Sequence, residues 1–172
     1  MNLKLQRAGT EHIKSIIDLV LDVYDQIPEE QKSWFVINPE EDTKLLEAGE
    51  NWAYIAVDTD TGKLAAAFIA AFPGSSPDNL GRDCKLPEAE LAFVAHMDTA
   101  AVAPEYRGHG LQKQLMELAE ADLRQAGYRY LCCTVHPDNQ YSKNNILRQG
   151  YRIADTKEKY HGFLRHVCLK EM

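Results

Sequence analysis

The chain has 172 residues, of which 45% are apolar and 26% charged, and its formal net charge is −7. That length predicts one domain, residues 1–172. The composition excludes a disordered or collagen-like chain, and the negative balance argues against holding nucleic acid through the overall field. The longest apolar run, Leu64 to Phe72, has nine residues, whereas a bilayer-spanning helix needs about 20.

The first segment, MNLKLQRAGTEH, has no long apolar core or small-residue cleavage site, so no secretory signal is expected. Cys84, Cys132, Cys133 and Cys168 form no C-x-x-C, and no His/Cys group has zinc-ligand spacing. They read as reduced thiols, mostly core filler, in a cytoplasmic protein without a metal. Charge is uneven along the chain: residues 1–60 carry −8, residues 61–104 carry −2 and residues 105–172 carry +3.

Residues 2–8 alternate weakly and predict a first strand. Thr10 is the expected N-cap of a helix whose apolar residues, Ile13, Ile16, Ile17, Val20, Leu21 and Tyr24, share one face. A second helix is expected from Asn38, with Pro39 at its first position, acidic Glu40, Glu41 and Asp42 in its first turn, and Gly49 as its stop. Residues 52–57 and 63–72 read as strands split by a DTDTG hairpin loop. The second of these is apolar on both faces, as a central strand is. Residues 73–89 hold three prolines and two glycines, an unusually long stretch without regular structure, and such stretches are often functional.

Residues 91–102 read as a strand ended by Pro104, and an amphipathic helix follows from about Gly110 to Ala126. A strand at 128–135, a short helix at 140–149 and two strands at 151–156 and 163–169 complete the order β-α-α-β-β-β-α-β-α-β-β. This is one mixed α/β sheet without internal repeats.

The informative segment is Ala101 to Met116, AVAPEYRGHGLQKQLM. A strand ends at a proline, a turn with two glycines follows, and a helix begins. The first turn of a helix leaves backbone N–H groups without intrahelical partners at the positive dipole end. Gly108 and Gly110 let an anion approach the backbone, and Arg107, His109 and Lys113 surround the same place, a design suited to phosphate or diphosphate. No Walker loop is present, and no third glycine completes a dinucleotide fingerprint.

Read with the element order, V-x-P-x-x-R-G-x-G-L resembles the GNAT superfamily of N-acetyltransferases over nearly the whole chain. The family's cofactor signature, Gln or Arg, two residues, Gly, one residue, Gly or Ala, reads here Arg107, Gly108, His109, Gly110, Leu111, Gln112. Gln112 departs from the pattern. Asn139, Ser142 and Gly150-Tyr151 stand where the family has N-x-x-A and G-F.

The resemblance implies a mostly antiparallel sheet flanked by helices, whose central parallel strands, 93–102 and 128–135, splay apart around a thioester. It implies acetyl-CoA or another acyl-CoA. The backbone at Ala100 and Val102 would pair with the pantetheine arm, the backbone from Gly108 to Lys113 would receive the diphosphate, and the Asn139 side chain would hydrogen-bond the pantetheine. The acceptor implied is a primary amine of a small molecule or protein that attacks directly.

For the base, Val94, His96 and Asp98 share one strand face by period 2. A histidine's ordinary pKa of about 6.5 suits proton acceptance near neutrality, and Asp98 would orient it or attract the amine; Glu90 is a third candidate. The oxyanion donor expected is the N–H of Ala100 or Val102. Many members carry a Tyr seven residues after the Asn, and here that position is Ile146, with Tyr141, Tyr151 and Tyr160 as other phenols. Asp25, Glu29, Glu30 and Glu41, with Trp34 and Phe35, suit a cationic amine. A homodimer through the C-terminal strands is a further expectation. The alternatives are a non-catalytic acyl-CoA-binding sensor and another phosphate-ligand enzyme such as a kinase.

Overall fold

Regular elements follow the predicted order in the computed structural model, which describes residues 1–172. The strands are β1 (Leu3–Arg7), β2 (Trp52–Asp58), β3 (Leu64–Ala71), β4 (Val94–Val102), β5 (Tyr130–Val135), β6 (Arg152–Lys159) and β7 (Phe163–Glu171). The helices are α1 (Ile13–Asp25), α2 (Pro39–Glu47), α3 (Leu111–Gln125) and α4 (Gln140–Arg148). The strands lie in the order β1-β2-β3-β4-β5-β7-β6. The β1–β2, β2–β3, β5–β7 and β6–β7 ladders are antiparallel, and β4–β5 is parallel. No helix is long and apolar enough to cross a membrane.

The chain divides into two compact units, and β4 contributes to both. The first holds Met1–Lys32, Ile37–Ala71 and Asp98–Asp122. Its core is apolar because α1 turns Ile13, Ile16, Ile17, Leu19 and Val20 inward, each worth about 1.5–3 kcal/mol when fully buried. In β3, residues Ala65–Ala70 are all buried, the pattern of a central strand whose small side chains let neighbours pack close on both faces. Tyr54 and Tyr106 bury their rings and satisfy their hydroxyls, which donate to Asp122 (3.1 Å) and Asp58 (2.8 Å).

The second unit holds Ser33–Val36, Phe72–Met97 and Leu123–Met172. Leu80, Val94, Cys132, Val167 and Leu169 form a core cluster there. Arg165 is only 2% exposed. Its guanidinium donates to the carbonyls of Leu164 and Ser33, both at 2.8 Å, which ties Ser33–Val36 to β7.

Three local expectations are corrected. Thr10 does not cap α1, because Thr10–His12 wind as a 3-10 turn and the helix starts at Ile13. There the His12 ring reaches back instead, and its Nδ1 accepts the Gly9 N–H at 3.0 Å. The fourth strand starts at Val94, not residue 91, because Pro87 opens a 3-10 turn over Glu88–Phe93 that buries Leu91. Residues 73–89, expected to lack structure, are a hydrogen-bonded loop built on the buried Asn79. Its Nδ2 donates to the carbonyls of Gly74 (2.8 Å) and Leu91 (3.1 Å), and its Oδ1 accepts from the Gly81 N–H (2.8 Å).

Candidate functional site

In the first unit the chain leaves β4 through a short turn, Pro104–Tyr106, anchored by the buried Tyr106 and by a bond from the Ala103 N–H to Ala65 O at 2.9 Å. Gly108 (φ +83°) and Gly110 (φ +68°) then take left-handed backbone conformations that side chains disfavour. An added Cβ would meet nothing within 4 Å at Gly108. The glycines therefore serve the path of the backbone, not internal packing.

The Gln114 N–H closes the first helical bond, to Gly110 O at 3.0 Å, whereas the N–H groups from Gly108 to Lys113 donate to no backbone carbonyl. Leu111 anchors the helix start in the core while Gly108, His109 and Gly110 are exposed. This is a row of free donors at the positive end of a 15-residue helix.

The side chains expected around this loop behave differently. The His109 Nδ1 lies 3.1 Å from the carbonyls of Tyr106 and Arg107, so it holds the turn. The Lys113 ammonium pairs with Glu117 at 3.2 Å, one helical turn onward. Arg107 is exposed, and Gln112 is half-buried.

Along β4, Ala95, Met97 and Ala101 are buried, while His96 and Val102 are half-buried and Asp98 and Ala100 exposed. The alternate face is thus exposed at Asp98 and Ala100. The β4–β5 ladder pairs only Val94↔Tyr130, Ala95↔Leu131 and His96↔Cys132.

Asp98 lies in the first unit with Glu41 and Asp42 of α2. Its side chain reaches solvent, yet the protein packed around the carboxyl raises its pKa, and the Glu41 charge adds to this against the Thr99 hydroxyl at 3.3 Å. Asp42 is 7% exposed. Burial first, then the charges of Asp98 and Glu41, push its carboxyl up to about 6.

In the second unit the His96 Nε2 accepts the Leu80 N–H at 3.0 Å. Burial, reinforced by Lys159, lowers this imidazole to about 4 against the opposing charges of Asp78 and Asp83. Glu90 pairs with Arg129 at 3.4 Å.

Asn139 caps α4: its Oδ1 accepts the Ser142 N–H at 3.3 Å, which leaves its Nδ2 donors outside the cap. Ile146 is buried in place of the family phenol. Tyr141 is exposed, Tyr151 is buried, and the Tyr160 hydroxyl lies 2.9 Å from Thr134 Oγ1. The sequence reading missed Thr134 and His136. The latter stacks on Trp34 with ring centroids 5.3 Å apart. Thr134 lies in β5 and His136 one residue past its end, and this two-residue spacing was the available signal.

A family model described as "Acetyltransferase (GNAT) family" matches residues 17–151. The chain belongs to this family, and its chemistry is acyl transfer. A search among curated proteins gave no match. Among solved structures, a GNAT-family acetyltransferase from Streptococcus pneumoniae matches with a TM-score of 0.72 at 15% identity, over 99% of this chain and 100% of that one. A mosquito arylalkylamine N-acetyltransferase like 5b gives the same values. A structure of the NatC complex bound to Gag peptide and CoA matches with a TM-score of 0.73 at 15% identity, over 100% of this chain and 99% of that one. At these identities the likeness is one of fold.

Proposed function

We propose that the chain transfers an acetyl group from acetyl-CoA to the primary amine of a small molecule or protein by direct attack. The observation that carries this reading is the row of free N–H groups from Gly108 to Lys113, a donor set matched to a diphosphate. Two relatives of similar fold point to an amine acceptor: one is named an arylalkylamine N-acetyltransferase, and the other holds a peptide and CoA.

When bound, acetyl-CoA supplies the thioester carbonyl that the amine attacks. The Gly108–Lys113 amides hold its diphosphate, with Arg107 the exposed cation beside them. Asn139 offers Nδ2 to the pantetheine, and Ser142 closes the cap that orients it. Past His96, the last β4 residue in register with β5, the strand edge offers the N–H or carbonyl groups at Ala100 and Val102 for strand-like pairing, and an N–H there is the donor for the developing oxyanion.

Asp98 is the base. Its raised pKa brings a carboxylate closer to the working range of a proton acceptor, and with Glu41 and Asp42 it favours a cationic amine. His96 is the less suited of the two expected residues. With Nε2 accepting the Leu80 N–H, a neutral imidazole carries its proton on Nδ1 and has no free lone pair. A thiol with an ordinary pKa of about 8.5 leaves without an acid, which fits Ile146 at the phenol position.

That same Ile146 favours one second reading, a non-catalytic acyl-CoA sensor. Purified protein incubated with acetyl-CoA and a broad panel of amines separates the two. The proposal expects release of free CoA above the spontaneous rate with at least one amine. Tight binding without release for any amine selects the sensor, and no binding removes both.

A further inference from the structure

Five of the chain's nine exposed large apolar residues come from two short segments of the second unit: Phe35 and Val36 in one, and Tyr160, Phe163 and Leu164 around the β6–β7 hairpin in the other. Apolar side chains gathered in this way mark a surface that receives a ligand. The two segments meet at the buried Arg165. Its guanidinium donates to Ser33 O at 2.8 Å, and it lies 5.8 Å from the ring centroid of Tyr160 and 5.5 Å from that of Phe163. Trp34, next to Ser33, stacks on His136 with the ring planes 18° apart.

The sheet explains why these residues come together. Thr134 of β5 pairs with Val167 of β7, and side chains alternate along a strand, so Thr134 and Arg165 share one face. The Tyr160 hydroxyl reaches Thr134 Oγ1 at 2.9 Å, which draws the hairpin onto that face. The hairpin holds Tyr160 at a conformational cost, because Tyr160 (φ +52°) and His161 (φ +65°) both take left-handed conformations that side chains disfavour. The Asp138 N–H donates to His136 Nδ1 at 3.1 Å, so the neutral ring carries its proton on Nε2 and adds a donor to a wall of rings. His136 stands three residues before Asn139, the residue assigned to the pantetheine, at the same end of β5.

We propose that Trp34, His136, Tyr160 and Phe163 hold the non-reacting end of the acceptor, and that this end is an aromatic ring. The inference rests on the acyl-transfer reading for one point only, that the ring belongs to the amine that is acylated. Ring faces and edges select another ring by offset or edge-to-face packing. An acceptor without a ring, such as an aliphatic diamine, leaves these faces in water. The ring comes from a small arylalkylamine or from an N-terminal aromatic residue of a peptide.

The test titrates phenethylamine, a peptide beginning with Phe, and ethylamine into the full chain by calorimetry, with and without CoA. Phenethylamine or the peptide should bind about tenfold more tightly than ethylamine or better, and the tighter of the two identifies the source of the ring. Trp34→Ala and Tyr160→Ala should each remove most of that preference while binding of ethylamine is kept. The proposal is overturned if neither aromatic probe binds better than ethylamine, or if both variants keep the wild-type preference. Should Trp34→Ala fail to fold, Tyr160→Ala, in an exposed hairpin, decides alone. Aromatic preference without release of CoA from acetyl-CoA would remove the acyl-transfer reading and keep the ring site, whereas turnover of ethylamine and phenethylamine at equal kcat/KM would do the reverse.

Discussion

The backbone N–H of Leu80 donates to Nε2 of His96 at 3.0 Å, so a loop amide occupies the nitrogen that a proton acceptor would need. The imidazole is lowered to about 4, chiefly by burial. An unfolded chain protonates the same ring near 6.5, so between those values it binds more protons than the folded chain. Stability should therefore decline as pH falls from about 6.5 towards 4, by up to about 3 kcal/mol. Urea unfolding across that range should show His96→Gln losing much of this acid dependence. An unchanged dependence would remove the assignment.

Asp42 contributes with the opposite sign. Its carboxyl is pushed up to about 6 by burial and by Asp98 and Glu41, so the folded chain holds the proton where the unfolded chain, near 3.9, has lost it. This contribution fades as pH rises through 6. Asp42→Asn should then gain roughly 1–2 kcal/mol at pH 7.5 and little at pH 4, again by urea unfolding. Equal effects at both pH values would contradict the burial argument.

Asp98→Asn separates the base from the histidine. The variant should bind CoA as the wild type does while turnover falls about 100-fold or more. His96→Gln should retain the wild-type pH profile of turnover. Steady-state kinetics with whichever amine the panel identifies would reverse the assignment if His96→Gln proved the slower of the two.

Asn139 divides into a cap and a donor. Asp caps a helix about as well as Asn, whereas Ala costs about 1 kcal/mol. Asn139→Asp should keep the melting temperature and weaken CoA binding, because the Nδ2 donors are gone. Asn139→Ala should lower both. If the Asp variant binds CoA like the wild type by calorimetry, the donor role falls.

Element order was legible because periodicity and punctuation agreed: the Ile13–Val20 stripe, Pro39 after Asn38, and Gly108 and Gly110 between β4 and α3. The ends of elements were less legible. Thr10 has the chemistry of a cap, but the His12 ring reaches back to Gly9 from inside the turn. The segment at 73–89 reads as unstructured because its organising residue, Asn79, works through carbonyls contributed by Gly74 and Leu91. His96 and Asp98 were visible as candidates on one strand face. What distinguishes them, a loop amide on one and neighbouring carboxylates around the other, arises only on folding.

The central claim is that the free amides from Gly108 to Lys113 hold the diphosphate of CoA, and calorimetric titration of the wild type beside Gly110→Ala and Gly110→Glu tests it most directly. The Ala variant brings the backbone strain of a side chain at φ +68°, and the Glu variant adds a charge that repels the diphosphate. The account predicts saturable CoA binding by the wild type, a smaller loss with Ala, and at least a 100-fold loss with Glu while the circular dichroism spectrum is kept. A wild type that does not bind CoA, or a Glu variant that binds it equally well, would contradict it.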